Sequence, residues 1–203
     1  GDDTFTGTVS TDSVSGEGSE NWAYVPTMVL PTLKRLAETN YSTNHRYSVD
    51  GSPVVGDVCI GTCTAVGDWR TILVAGLNKG GRGYYALDIT NPQAPKALWE
   101  LKGGSDAACI ASDGAVDSTQ TGDCHIGFSF GNPIIAKRPS DGKWVVFVTS
   151  GHNNISPGDG MGHLYVVDAQ TGVILQRMST PVGDSTTPSG LARITAHSRR
   201  KRT

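Results

Sequence analysis

Apolar residues fall in short runs, each closed off by Gly, Pro, Asn or Asp. Residues 69–77 (WRTILVAGL), 84–89 (YYALDI) and 97–101 (ALWEL) follow one another across a Gly-rich turn at 80–83 and a Pro-containing turn, a pattern that predicts three consecutive strands. A strand over 47–58 (YSVDGSPVVGDV) leads into them. After a polar, Gly- and Asp-rich excursion at 102–127 the pattern restarts, with strands expected at 128–136, 144–150, 163–169 and 173–178. The length of that excursion marks it as a functional loop or an insertion. Residues 21–26 (NWAYVP) read as the last strand of an earlier unit. Residues 31–38 (PTLKRLAE) place Leu33, Leu36 and Ala37 on one helical face behind Pro31, which predicts one short helix.

The two sets of strands are copies. Gly51 and Gly131, Pro53 and Pro133, Tyr85 and Tyr165, and Asp88 and Asp168 are each 80 positions apart, while Trp69 and Trp144, 75 apart, open the second strand of each copy. A repeat of four antiparallel strands is the blade of a β-propeller. The expected fold is therefore all-β: a partial β-propeller of about two four-stranded antiparallel blades plus flanking pieces and one short helix. Blade one spans about 47–101, blade two about 128–178, and a further blade begins at about 188–192, all within a partial propeller over 21–192. Propellers close with typically four to eight blades, so the remaining blades of a parent protein are expected partners.

Composition agrees with a turn-rich β protein: 203 residues, 37% apolar, 26 glycines and only 18% charged. No apolar run approaches the roughly 18 residues of a membrane-spanning helix, so no membrane span is expected. The opening residues lack a basic start and an apolar stretch, so the chain as it stands is expected to be cytoplasmic or a processed or excised piece. Residues 1–20, rich in Gly, Ser, Thr and acids, read as a flexible lead-in. Residues 193–203 read as a basic disordered tail, with Arg193, Arg199, Arg200, Lys201 and Arg202 and no acid. No aromatic residue interleaves these charges and the body is acidic, so no nucleic acid is expected as a partner.

The four cysteines form two local pairs, Cys59 with Cys63 and Cys109 with Cys124, and two local disulfides are the simplest of three connectivities. The second would close a loop of about 15 residues, worth about 3 kcal/mol on the chain-entropy account, and both point to an oxidising compartment. Zinc is the rival reading, but C-x3-C with a distant C-x14-C-H ending at His125 matches no common zinc spacing.

No constellation points to catalysis, and no catalytic or cofactor-binding residue is assigned. For a metal, residues 150–160 (SGHNNISPGDG) offer Asn153, Asn154 and Asp159 as weak candidate oxygen donors with His152 nearby, although the same residue types build ordinary turns. Asp106, Asp113, Asp117 and Asp123 read as a solvated acidic face rather than a chelating set. Asp88 and Asp168, ahead of Thr90 and Thr171, are expected to bond turn amides. Trp69, Trp99 and Trp144 are read as packing between blades. His45 and His163 stand alone beside strands, as core or surface residues. Tyr84, Tyr85 and Trp22 are conceivable stacking groups for carbohydrate or peptide.

Several of these motifs together bring a family into view. WAYVP (22–26), HRYSVDGSPVVGDV (45–58), DWRTILVAGL (68–77) with GGRGYYALDIT (80–90), FSFGNPIIAK (128–137), and SGHNN (150–154) with GHLYVVDAQTG (162–172) closely resemble the C-terminal propeller of the PilC/PilY family. These are type IV pilus tip-associated adhesins and biogenesis factors. The resemblance implies a protein without enzymatic activity, exported through the periplasm and displayed extracellularly, at the pilus tip or outer-membrane surface. It implies roles in pilus biogenesis and attachment, with pilus tip components (pilins and minor pilins) and host or abiotic surfaces as partners. It also implies calcium in a D-x-D-x-D-x-x-x-D loop after the SGLA strand. In this chain 196–200 (AHSRR) stands there and no other stretch fits, so no cofactor is assigned. The alternative is a fragment of a pyrroloquinoline-quinone-dependent quinoprotein dehydrogenase propeller. DAQTGVILQ (168–176) resembles the docking pattern of those enzymes, but Gln176 replaces the terminal Trp, Trp99 is in place only in the first copy, where Asn91-Pro92 replaces Thr-Gly, and their adjacent Cys-Cys pair is absent.

Overall fold

The computed structural model describes residues 21–116 and 119–196. The first copy gives β1 (Val54–Cys59), β2 (Trp69–Gly76), β3 (Gly83–Asp88) and β4 (Lys96–Gly103). The 102–127 excursion contributes two short strands, β5 (Gly114–Ala115) and β6 (Gly122–Asp123). The second copy gives β7 (Ile134–Lys137), β8 (Trp144–Thr149), β9 (His163–Asp168) and β10 (Ile174–Ser179). They form two sheets, ordered β1-β2-β3-β4-β6 and β5-β10-β9-β8-β7. Each is thus a four-stranded antiparallel meander carrying one extra strand on its outer edge. The excursion is not a free loop: β6 runs parallel to β4, and β5 pairs antiparallel with β10, so one segment covers the outer edges of both sheets.

The pairing registers give the repeat its meaning. Val54 faces Val74 and Ile134 faces Phe147, while Ala75 faces Tyr85 and Val148 faces Tyr165, so the 80-residue spacing holds for the first and third strands. The tryptophans that open the second strands are not register equivalents. Asp57 faces Thr71, whereas Lys137 faces Trp144, so Trp144 stands where the first sheet has Thr71. In the fourth strands Ala86 faces Trp99 and Val166 faces Gln176, which makes Gln176 the counterpart of Trp99.

Alternation along the strands sets up two apolar layers. Ile72, Val74, Tyr84, Ala86, Trp99 and Leu101 of the first sheet pack against Val146, Val148, Tyr165, Val167 and Ile174 of the second, with Val58 and Ile126 completing the cluster. On the other face of the first sheet Ala75, Leu77, Tyr85 and Leu87 pack with Val29, Trp22, Tyr24 and Met28. The first strands β1 and β7 also touch, and Gly56 lies against the Ile135 side chain.

Four expected elements come out differently. Residues 21–26 form no strand. Side chains hold them instead: Tyr24 Oη donates to Glu100 Oε1 at 2.9 Å, the Thr27 amide to the same oxygen at 2.6 Å, and Trp22 Nε1 to Pro92 O at 3.1 Å. The expected strand at 47–58 pairs only over Val54–Cys59, and that at 128–136 only over Ile134–Lys137. In both copies Pro53 or Pro133, without an amide hydrogen, stands immediately before the paired segment. The approach is also too close for a side chain, since a Cβ on Gly51 would lie 1.9 Å from Gly76 O. The helix is α1 (Leu30–Leu33), followed by a 3-10 turn over Lys34–Ala37. Much of its apolar side is uncovered, since Leu30 and Leu36 are exposed while Leu33 is half-buried, which suits a short helix.

Candidate functional site

Where the two sheets meet, the side chains singled out in the sequence are engaged in joining them. Trp99 Nε1 donates to Ala169 O at 3.0 Å. Its ring covers Gly172, where a Cβ would lie 2.6 Å from the indole and where φ is 74°. Tyr84 Oη donates to Thr149 O at 2.8 Å, and the rings of Trp69 and Trp144 meet edge to face at 6.0 Å. Tyr84 is fully enclosed, and burial pushes its phenol up to about 12, against the hydrogen bond to Thr149. Trp99 and Trp144 therefore pack at the sheet junction, as expected, whereas Trp69 meets the Trp144 ring but stays 40% exposed. Tyr84 and Tyr85 are buried and do not face outward as stacking groups, while Trp22 is half-buried. Asp88 accepts from the amide and hydroxyl of Thr90, and Asp168 from the amides of Gln170 and Thr171, which makes both turn-closing residues.

The excursion is fastened from within by a buried polar network. Both cysteine pairs are disulfides, Cys59 to Cys63 and Cys109 to Cys124. Asp123, fully buried, accepts from Tyr165 Oη at 3.0 Å, Arg177 Nη1 at 3.3 Å and the Ile110 amide at 3.0 Å. Arg177 also donates to Ile110 O at 2.8 Å and, through Nε, to Asp113 Oδ1 at 3.0 Å. Burial, then the Asp123 carboxylate, drives the Tyr165 phenol well above its ordinary range. Asp123 is thus no part of a solvated acidic face, whereas Asp113, paired with Arg177, remains exposed as expected. A buried carboxylate persists where it is paired and hydrogen-bonded, and the partners come from β9 and β10. Asp106 is exposed, and Asp117 lies outside the described residues.

Beside this network three side chains converge. His163, fully buried on β9, places Nε2 2.9 Å from Asp159 Oδ1 and Nδ1 2.7 Å from Ser179 Oγ. His125, from the turn after β6, places Nδ1 3.6 Å from the same carboxylate oxygen, and the two imidazole centroids are 5.0 Å apart. That Nδ1 is buried without a hydrogen-bond partner. Burial pulls the His163 imidazole below its ordinary pKa, and the neighbouring Asp159 opposes this without overcoming it. His163 therefore does not stand alone. Nor does His45, whose ring contacts Tyr41 and Tyr47. Of the candidate oxygen donors, Asp159 belongs to this cluster. Asn154 is buried, its amide nitrogen donating to Met161 O at 2.5 Å while its Oδ1 has no partner. Asn153, exposed with φ 55°, and exposed His152 lie in the turn. Cys109 and Cys124 also adjoin His125, but their sulfurs are bonded to each other and cannot ligate.

The calcium loop implied by the resemblance would fall after the Gly151–Leu191 bridge. Residues 191–203 contain no carboxylate, so the donor set for a hard cation is missing there.

Two packed four-stranded antiparallel sheets, joined through buried tryptophan and tyrosine contacts, define a partial β-propeller. A sequence profile described as the PilY1 beta-propeller domain matches residues 9–198, and this chain belongs to that family. It is 32% identical over 177 residues to the type IV pilus biogenesis factor PilY1 of Pseudomonas aeruginosa PAO1, covering 87% of this chain and 13% of that protein. A PilY1 homologue of Xylella fastidiosa is 29% identical over 170 residues, covering 82% of this chain and 10% of the homologue. The crystal structure of the P. aeruginosa PilY1 C-terminal domain is similar at a TM-score of 0.56 and 28% identity, covering 86% of this chain and 32% of that one. This chain thus spans only about an eighth or less of the curated relatives it matches.

Proposed function

We propose that this chain is the non-enzymatic propeller module of a type IV pilus tip-associated protein, acting in pilus biogenesis and in attachment to host or abiotic surfaces. The observation that carries this reading is the family match over residues 9–198, together with relatives named as type IV pilus biogenesis factors. Two disulfides suit a protein exported through an oxidising periplasm to the pilus tip or outer-membrane surface. No described helix is long and apolar enough to cross a membrane. Its partners are pilins or minor pilins and the remaining propeller blades of the parent protein. The tyrosines, tryptophans and aspartates of the family motifs are engaged in packing and turn closure, which fits a structural module.

The test is an in-frame deletion of the propeller-coding segment from the parent gene, with surface pili counted by electron microscopy and attachment measured on abiotic and cellular surfaces. Loss of piliation or attachment is expected. Unchanged piliation and attachment overturn the proposal.

A further inference from the structure

In its neutral form His163 carries a constraint that its own network does not satisfy. Ser179 Oγ donates its single hydrogen to Asp113 Oδ1 at 2.6 Å, so at 2.7 Å it must accept from His163 Nδ1. With the ring hydrogen fixed on Nδ1, a neutral His163 turns the lone pair of Nε2 toward Asp159 Oδ1 at 2.9 Å. Two acceptors at that separation repel unless a proton or a metal ion lies between them. His125 Nδ1 adds a third donor atom, buried and unpartnered, 3.6 Å from the same oxygen. One ligand atom from each of the three side chains lies within 4.8 Å of the other two.

We propose that His125 Nδ1, Asp159 Oδ1 and His163 Nε2 bind a divalent transition-metal ion, with zinc the best match. Imidazole nitrogen with carboxylate oxygen is a donor set for zinc, and ligand atoms at about 2.0–2.1 Å from a tetrahedral ion lie about 3.3–3.4 Å from each other. The separations of 2.9 and 3.6 Å fall on either side of that value. The Ser179 and Asp113 contacts form the outer hydrogen-bond shell that fixes a ligating histidine in one tautomer. Entry is from the Asp159 side, whose side chain is 35% exposed, which leaves the fourth position to water. Such an ion would tie the turn after β6 to the connection between β8 and β9. It is distinct from a calcium loop in place and in ligand chemistry.

The experiment is titration of Zn²⁺, and in parallel Co²⁺, into the chelator-treated full chain with both disulfides intact. One equivalent of Zn²⁺ should bind and raise the melting temperature, and Co²⁺ should give the intense visible bands of tetrahedral coordination. His125→Ala and Asp159→Asn should each weaken Zn²⁺ binding at least tenfold and abolish the Co²⁺ bands. Ser179→Ala, which removes an outer-shell partner, should weaken it by about 10–100-fold. Because the Co²⁺ spectrum of the unsubstituted chain is itself decisive, misfolding of a variant does not blunt the test. A folded chain that shows no tetrahedral Co²⁺ bands and no stoichiometric Zn²⁺ binding overturns the proposal. Binding that His125→Ala leaves unchanged overturns it as well.

Discussion

The indole of Trp99 in the first sheet donates to the carbonyl of Ala169 in the second at 3.0 Å. A single side chain thus carries both apolar contact and a hydrogen bond across the sheet junction. Its counterpart by strand register, Gln176, is exposed, so the same docking group is not repeated on the second sheet.

Trp99→Ala is expected to cost about 3–5 kcal/mol, the range for removing a buried aromatic residue. Gly172→Ala should destabilise too, because its φ of 74° disfavours a side chain and the new Cβ would meet the indole at 2.6 Å. Urea denaturation checks both. Substitutions that leave the midpoint unmoved would remove Trp99 from the junction.

Asp123→Asn leaves Arg177 buried with one carboxylate fewer, and breaking such a pair from one side costs about 3–5 kcal/mol. Asp123→Leu combined with Arg177→Met should recover much of that loss. The measurement is a double-mutant cycle in urea. A coupling energy near zero would show that the two groups act independently.

Alkali should unfold the chain through its buried phenols. The Tyr84 phenol titrates at about 12 in the fold instead of 10.0, so the folded state retains its proton longer than the unfolded chain does. The stability this provides is complete below the unfolded value and is lost as pH rises through the folded one. Tyr84→Phe should flatten the fall in stability over that window, at a cost of about 1 kcal/mol at neutral pH for the lost hydrogen bond to Thr149. Tyrosinate absorbance followed alongside circular dichroism checks this. Early titration of every tyrosine in the folded chain would contradict it.

Alkylation of the non-reduced, unfolded chain should modify no cysteine. Removing the longer bridge with Cys109→Ser and Cys124→Ser should cost about 3 kcal/mol. Mass spectrometry and thermal melts provide the two readings, and four alkylated cysteines would argue against export through an oxidising compartment.

The strands at 69–101 and their downstream copy were legible because a two-residue alternation bounded by Gly, Asn and Pro is a local property of the chain. The paired spacing of Tyr85 with Tyr165 and of Asp88 with Asp168 was enough to call up four-stranded units, and the motifs around them identified the family. Of the aspartates expected to form a solvated face, Asp123 departs from that reading, because the groups that satisfy it, Tyr165 on β9 and Arg177 on β10, lie dozens of residues away. Residues 21–26 misled for a related reason: their apolar side chains pack on β3, but their backbone finds no strand to pair with.

The sequence by itself determined the repeat and the meander order of the four main strands in each sheet, and made two local cysteine pairs the simplest pairing, since each depends on spacing along the chain. Only the tertiary structure decided that the excursion covers the outer edges of both sheets, that Asp123 is buried, and that His125 meets Asp159 and His163. Those outcomes depend on which distant groups share an interior from which water is excluded. There an unpaired charge or lone pair is costly, and the chain's own partners must be brought to it from other strands.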